Sequence, residues 1–312
     1  MIYIKRYTDE DKIVWDNFIT VSRIDSFLFY RDFMDYHSDR FDDCSFLIYR
    51  KNKLQAVLPG NIKDKVFYSH QGLTFGGLIT SDKITTNDVL TIFDQLKIEL
   101  CQIGVSEVVY KPAPIIYQII PSQEDIYALF RLSAIKIGSN ISSTIYQNNK
   151  IKFSESRKSG IRKAVKEGLT INESADFDNF WTMLNDNLQK NHDTIPVHSI
   201  SEIKYLRSLF PEQIKLFTAE KDKQIIGGTV LFLMKNLIHV QYISANEAGK
   251  NLGALDFLFD KLINTIYIDT PIFDFGQSTE QMGKYLNENL IFQKEGFGGR
   301  GIVYDIYNFK IV

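Results

Sequence analysis

The chain has 312 residues, enough for two domains of ordinary size. Apolar residues make up 44% and charged residues 24%, the balance of a folded soluble protein, and 23 Phe with 16 Tyr supply much of the core volume. A net charge of −2 and a pI of 6.2 leave no basic surplus for a duplex, so DNA is not an expected partner.

Trp15, Phe18 and Val21 recur at helical spacing, and Phe29, Phe33 and Tyr36 predict a second helix. Strands follow over 45–50 and 54–60, joined by the tight turn Lys51-Asn52-Lys53. A strand over 66–69 leads into the glycine-rich stretch His70-Gln71-Gly72-Leu73-Thr74-Phe75-Gly76-Gly77. Val89, Phe93, Leu96, Leu100 and Ile103 form the stripe of an amphipathic helix. A strand over 107–111 is stopped by Pro112 and Pro114, and a helix around 125–132 and a strand near 144–146 close this half.

The second half repeats the order. Ser154 caps a basic helix that Gly168 ends, and helices over 176–188 and 199–210 follow, the latter with Ser199 and Glu202 spaced as a capping box. Strands are predicted over 213–219, 225–234 and 237–244, then one helix carrying Leu252, Leu255, Phe259, Leu262 and Ile266. A strand over 272–275, a helix over 280–288 and a strand over 302–309 complete the chain. Antiparallel strands with a single strand-helix-strand crossover in each half predict an α/β fold of mixed sheets, with domains over 1–148 and 149–312 and a junction near 147–153.

That order is similar to the N-acyltransferase fold of the GNAT superfamily, and two copies in one chain resemble the Fem family of aminoacyl-tRNA-dependent peptidyltransferases. Residues 156–168 resemble the basic helix that opens the second Fem domain. Phe273-Asp274-Phe275-Gly276 resembles the Fem Asp-Phe-Gly strand, and Lys294-Glu295-Gly296-Phe297-Gly298 the Lys-x-x-Phe-Gly block. The first half is closer to a bacterial GNAT branch associated with surface-polysaccharide biosynthesis, through residues 69–77 and 110–117. Ile195-Pro196-Val197-His198 and His239-Val240-Gln241-Tyr242 carry the same likeness. The resemblance implies tandem GNAT-like domains and acyl transfer, and leaves the acceptor open. It departs from the GNAT pyrophosphate loop, where Lys250-Asn251-Leu252-Gly253-Ala254 keeps one cation and one glycine but Leu255 takes the last small position. The long coiled-coil insertion of some Fem enzymes is missing.

Acyl transfer to an amine needs a base, donors for the oxyanion and a slot that aligns the acyl donor. In a GNAT sheet the slot is the splay between the strands over 237–244 and 272–275. Alternation puts His239 and Gln241 on one strand face and Val240 and Tyr242 on the other. His239 reads either as the general base or as a hydrogen-bonded sheet histidine. Asp274 reads as a base, as a group orienting the donor amine, or as a structural acceptor at the strand end. The resemblance implies that Lys294 stabilises charge near the reacting ester, the alternative being a solvated surface lysine. His70 reads as a base, an acceptor-binding group or a turn residue, with Thr74, Lys111 and Tyr117 beside it.

Gln241, Tyr242, His198 and Arg162 are further substrate-binding candidates, and Lys250, Asn251, Gly253 and Ala254 are candidates for holding acyl-CoA. His192-Asp193 and His198 lack ligand spacing, so no metal is expected. Gly296-x-Gly298-x-x-Gly301 precedes a strand and does not open a helix, which excludes a dinucleotide loop. Cys44 and Cys101 make no disulfide framework and fit a reducing cytoplasm. Residues 1–6 run straight into Asp9-Glu10-Asp11 and do not form a signal peptide, and no apolar run approaches the roughly 20 residues that span a bilayer. The sequence therefore predicts a cytoplasmic enzyme, not inserted in a membrane, that moves an acetyl or related group from acyl-CoA to an amine, such as an amino-sugar or a nucleotide-linked sugar. The alternatives are aminoacyl transfer from tRNA to a cell-wall precursor, and a non-catalytic glycan- or nucleotide-binding protein on the same fold.

Overall fold

The structure, a computed structural model, describes residues 1–192 and 194–311; Asp193 and the side chains of Asn191 and His192 lie outside the described residues. The chain divides into two compact units, 1–141 with 279–285 and 302–312, and 142–278 with 286–301. The expected boundary after residue 148 thus shifts into a strand, and the C-terminal strand joins the first unit.

The first unit opens with β1 (Ile2–Arg6), α1 (Lys12–Thr20) and α2 (Arg31–Met34), then β2 (Asp42–Asp43), β3 (Phe46–Arg50), β4 (Lys53–Leu58) and β5 (Asn61–Lys63). β6 (Val66–Tyr68), β7 (Ile79–Thr80), α3 (Thr86–Gln102), β8 (Glu107–Tyr110), α4 (Glu124–Arg131) and the first part of β9 (Ile135–Tyr146) follow. The helix expected across Phe29–Tyr36 is broken into short pieces, because Tyr30 is extended between Phe29 and α2. Lys51 and Asn52 take positive φ (52° and 61°), the two-residue turn that joins β3 to β4. Thr85 and Asp88 cap α3 reciprocally, and Val89, Ile92, Phe93, Leu96 and Leu100 bury its apolar face. β6 and β8 pair in parallel from Val66 and Glu107 to Tyr68 and Val109.

The second unit contains α5 (Glu155–Lys166), β10 (Thr170–Ser174), α6 (Phe177–His192), α7 (Ile200–Leu209), β11 (Ile214–Lys221), β12 (Gln224–Leu233) and β13 (Leu237–Ala245). After α8 (Glu247–Leu252), α9 (Ala254–Lys261) and β14 (Ile272–Gln277), two short strands, β15 (Thr279–Glu280) and β16 (Tyr285–Leu286), precede α10 (Glu288–Gly296) and β17 (Arg300–Lys310). The strand order is β10-β11-β12-β13-β14-β9, with residues 142–146 of β9 antiparallel to β14. β17 pairs with β8 from Tyr307 and Tyr110 to Lys310 and Glu107, which is why the C-terminal strand belongs to the first unit.

Two expected helices differ. The stripe from Leu252 to Ile266 is cut by Gly253, which takes a left-handed conformation (φ 74°) between α8 and α9. The helix expected over 280–288 is absent from those residues, since Gln281, Met282 and Gly283 all have positive φ, and Asn287 caps a helix that starts at Glu288. Among the described residues, no helix is long and apolar enough to cross a membrane.

Candidate active site

The crossover in the second unit builds a fork. β13 and β14 are parallel and pair from Leu237 and Ile272 to His239 and Asp274, yet β13 continues to Ala245 and β14 to Gln277. Two distortions accompany the parting. Opposite β12 the register jumps from Tyr242 to Val240, so Gln241 is the extra residue of a bulge and the expected alternation of His239 with Gln241 is broken there. Gly276 turns β14 with φ 73°, and a Cβ added to it would stand 3.3 Å from His239 Cε1.

Asp274 is fully buried at the base of this fork. Its Oδ1 accepts from Ser142 Oγ at 2.5 Å and Thr144 Oγ1 at 2.8 Å, both on β9, and its Oδ2 stands 2.8 Å from His239 Nδ1. Burial pushes this carboxyl up, but the hydrogen bond and charge of His239, with the two hydroxyls, outweigh it and hold the group below the ordinary carboxylate range. An ionised Asp274 accepts the Nδ1–H of His239 and so fixes the tautomer in which Nε2 is the basic nitrogen. Phe273 and Phe275, on the opposite strand face from Asp274, pack with Phe259 and Phe297 in a cluster of rings that holds β14 rigid.

Lys294, in the last turn of α10, is 4% exposed. Its Nζ donates to Gly276 O at 2.9 Å and Gln277 O at 2.7 Å, and its third N–H has no protein acceptor among the described residues. Burial lowers its pKa to about 8, against the opposing pull of the Asp274 charge. The reading of Lys294 as a solvated surface lysine does not fit this burial. A preformed ammonium and an oriented imidazole thus flank one glycine, a combination able to stabilise an oxyanion and accept a proton.

The other candidates fall in three places. Tyr242 OH lies 2.5 Å from His198 Nδ1, and Trp181 Nε1 donates to His198 O at 3.3 Å, which ties the loop before α7 to β13. Lys250, Gly253 and Ala254 line a cavity of 290 Å³ with Arg157, Leu255, Asp256, Asn289, Phe292 and Gln293. Asn251 is exposed on α8 and Arg162 on α5. In the first unit, His70 is buried with φ 73° and an unpartnered Nδ1, and its ring stacks on His37 at 5.4 Å. Burial first, then the charges of His37, Lys111 and Arg31, lower its pKa to about 3. Lys111, also near 8 through burial, donates to Leu73 O; Thr74 is exposed, and Tyr117 meets Tyr304 hydroxyl to hydroxyl at 3.3 Å.

The 290 Å³ cavity offers cationic side chains and no backbone cradle. Arg157 (bonded to Asp256 at 2.6 Å) and Lys250 (bonded to Glu247 at 2.9 Å) supply the cations, and the ring of Phe292 is 68% exposed. Gly253, however, faces α5, since an added Cβ would lie 2.4 Å from Gly160 O, so this glycine serves helix packing. Ser142 and Thr144 were not expected at the site. The hydroxyl run Ser142-Ser143-Thr144 in a strand was the available signal for them.

The fold has counterparts among solved structures. FemX matches with a TM-score of 0.71 at 10% identity, over 99% of this chain and 97% of that one. The chain carries a tandem GNAT-like fold of the Fem-related kind. The C-terminal domain of a putative lysylphosphatidylglycerol synthetase from Agrobacterium fabrum matches this chain at a TM-score of 0.63 and 14% identity, covering 96% and 92% of the two chains. A tandem GNAT protein from the clavulanic acid biosynthesis pathway gives 0.55 and 8%, with 100% and 99% covered. Identities this low establish the fold alone. No protein-family profile matches the sequence, and no curated protein is detectably similar to it.

Proposed function

We propose that the chain is an acyltransferase whose reacting centre is the fork between β13 and β14. The observation that carries this reading is the buried Lys294 ammonium, bonded to Gly276 O and Gln277 O beside the His239–Asp274 pair. The acceptor amine attacks the acyl carbonyl carbon while His239 Nε2 takes the amine proton. Lys294 stabilises the oxygen as it gains charge, the C–S bond of the thioester breaks, and the thiolate leaves to be protonated. Asp274 positions His239, and the fork aligns the acyl group along the edge of β13.

The donor we favour is acyl-CoA, acetyl-CoA in the simplest case, with its phosphates on Arg157 and Lys250 and its base against Phe292. An amino-sugar or nucleotide-linked sugar of surface-glycan synthesis is the acceptor class we infer, in keeping with the polysaccharide branch that the first half resembles. A second donor, aminoacyl-tRNA, is favoured by α5, whose Lys158, Arg162, Lys163 and Lys166 extend the cation of Arg157, and by the likeness to FemX. An ester C–O bond then replaces the C–S bond. Calorimetry decides between them: acetyl-CoA binding, weakened by Arg157→Gln, supports the first donor. Absence of CoA binding with salt-sensitive capture of an aminoacyl-RNA end supports the second, and neither ligand binding to folded protein refutes the transferase reading.

A further inference from the structure

A larger cavity, of 480 Å³, lies elsewhere in the second unit, between the polar side of α6 and the turn joining β11 to β12. α6 contributes Asp176, Asn179, Thr182, Met183, Asp186 and Asn187, positions that recur at helical spacing and so form one stripe. Opposite stand Lys223, Gln224 and Ile225, with Asn246 at the start of α8. The cavity is distinct from the fork. From His239 to Ala245 the strand covers six steps, about 20 Å at the usual rise.

Its polar groups divide into those that build the wall and those left to a ligand. Asp176 caps α6 by accepting from Asn179 N at 3.1 Å and Nδ2 at 2.5 Å, and Asn187 Nδ2 anchors the floor on Ser244 Oγ at 2.6 Å and Ala245 O at 2.8 Å. By contrast, Asp186, Lys223 and Gln224 are exposed, and their side chains have no protein partner among the described residues. Asn246 spends its Oδ1 on Gly249 N at 2.9 Å, which leaves its amide N–H groups as donors. Unused donors and acceptors thus both line the space, and Met183 and Ile225 supply a small apolar patch. An exposed carboxylate can receive an ammonium, amides suit vicinal hydroxyls, and the apolar patch suits the C–H face of a ring.

We propose that this cavity is a sugar-binding subsite for an amine-bearing, hydroxyl-rich ring of the amino-sugar class, with Asp186 receiving the ammonium. It binds whether or not the fork transfers acyl groups, so the two readings fail separately. The test is titration of the full chain with D-glucosamine, D-glucose and N-acetyl-D-glucosamine, followed by calorimetry and saturation-transfer NMR. Glucosamine binds saturably, and the two neutral sugars bind at least about tenfold more weakly, as expected for loss of one charge-assisted hydrogen bond. Asp186→Asn, a surface change that leaves the fold intact, lowers glucosamine to the level of glucose. No saturable glucosamine binding, or equal binding by Asp186→Asn, overturns the proposal.

Discussion

Replacing Lys294 by Met tests the site through a quantity that needs no substrate. Burial holds the amine at about 8, against an ordinary value of 10.5. Because the folded value lies below the unfolded one, the unfolded chain binds the proton more tightly. The charged amine therefore destabilises the fold below pH 8, and this penalty fades as the pH rises from 8 through 10.5. Linkage puts the penalty at about 3 kcal/mol at pH 7 and under about 1 kcal/mol at pH 10. Wild type should then gain about 2 kcal/mol or more relative to Lys294→Met between those two pH values. Other titrations cancel in the comparison. Urea unfolding in a Trp15→Phe background leaves Trp181 as the reporter of the second unit, so the measurement is local to the site. A stability difference that does not change between pH 7 and pH 10 would refute a desolvated amine at this position. In the transfer assay the same variant should lose at least about a hundredfold in rate, the scale of one lost oxyanion donor, and the wild-type rate should fall above pH 8 as the ammonium is lost.

Asp274→Asn keeps the volume but removes the charge that orders Ser142, Thr144 and His239, and should lower kcat at least about a hundredfold with little change in donor affinity. A proportional loss of donor binding would show a structural role instead. His70→Asn tolerates the positive φ and removes a buried base, so the first unit should lose the part of its acid sensitivity that His70 contributes. With a folded value of about 3 and an unfolded value of 6.5, His70 withdraws stability as the pH falls from 6.5 towards 3, and about 2 kcal/mol of that loss lies between pH 7 and pH 5. Unfolding followed through Trp15 at those two pH values reads it. Gly253→Ala places a methyl 2.4 Å from Gly160 O at a left-handed φ, and thermal melting should show a loss of about 2 kcal/mol or more.

Much of this was legible because local signals and packing agreed. The stepping of Val89, Phe93, Leu96 and Leu100 located α3, and the capping residues Ser154 and Ser199 marked the starts of α5 and α7. Asp274 and Lys294 stood out through blocks that resemble a family, and the fork brings both to one place. What failed depended on backbone conformations with weak local signatures. Gln281 and Met282 take positive φ in a stretch whose side chains suit a helix, and the bulge at Gln241 leaves no mark on the strand pattern. Ser142 and Thr144 reach Asp274 only through the pairing of β9 with β14, a contact across more than a hundred residues that periodicity does not report. The grouping of the C-terminal strand with the first unit was not legible for the same reason, since the pairing of β17 with β8 is not local.

The first unit builds the same parallel pair and then closes it, which bears on where chemistry takes place. Beyond Tyr68 and Val109, Ser69 N still bonds Val109 O at 3.0 Å, and Lys111 N donates to Ser69 Oγ at 2.7 Å. The glycine-rich loop then returns, with Gly76 N on Lys111 O at 2.8 Å and Lys111 Nζ on Leu73 O. Gly76 is required there, because an added Cβ would stand 1.9 Å from Ser69 O. Where the β13–β14 ladder of the second unit ends at His239 and Asp274, the first unit fills the corresponding place with its own loop. Both units keep a lysine that burial lowers to about 8, so the lysine alone does not single out the fork proposed as the reacting centre. Lys111→Met should accordingly show the alkaline stability signature of Lys294→Met, read through Trp15, while leaving the transfer rate within about threefold of wild type, under about 1 kcal/mol of barrier. A hundredfold loss of rate in Lys111→Met would place the chemistry in the first unit and overturn the assignment to the second.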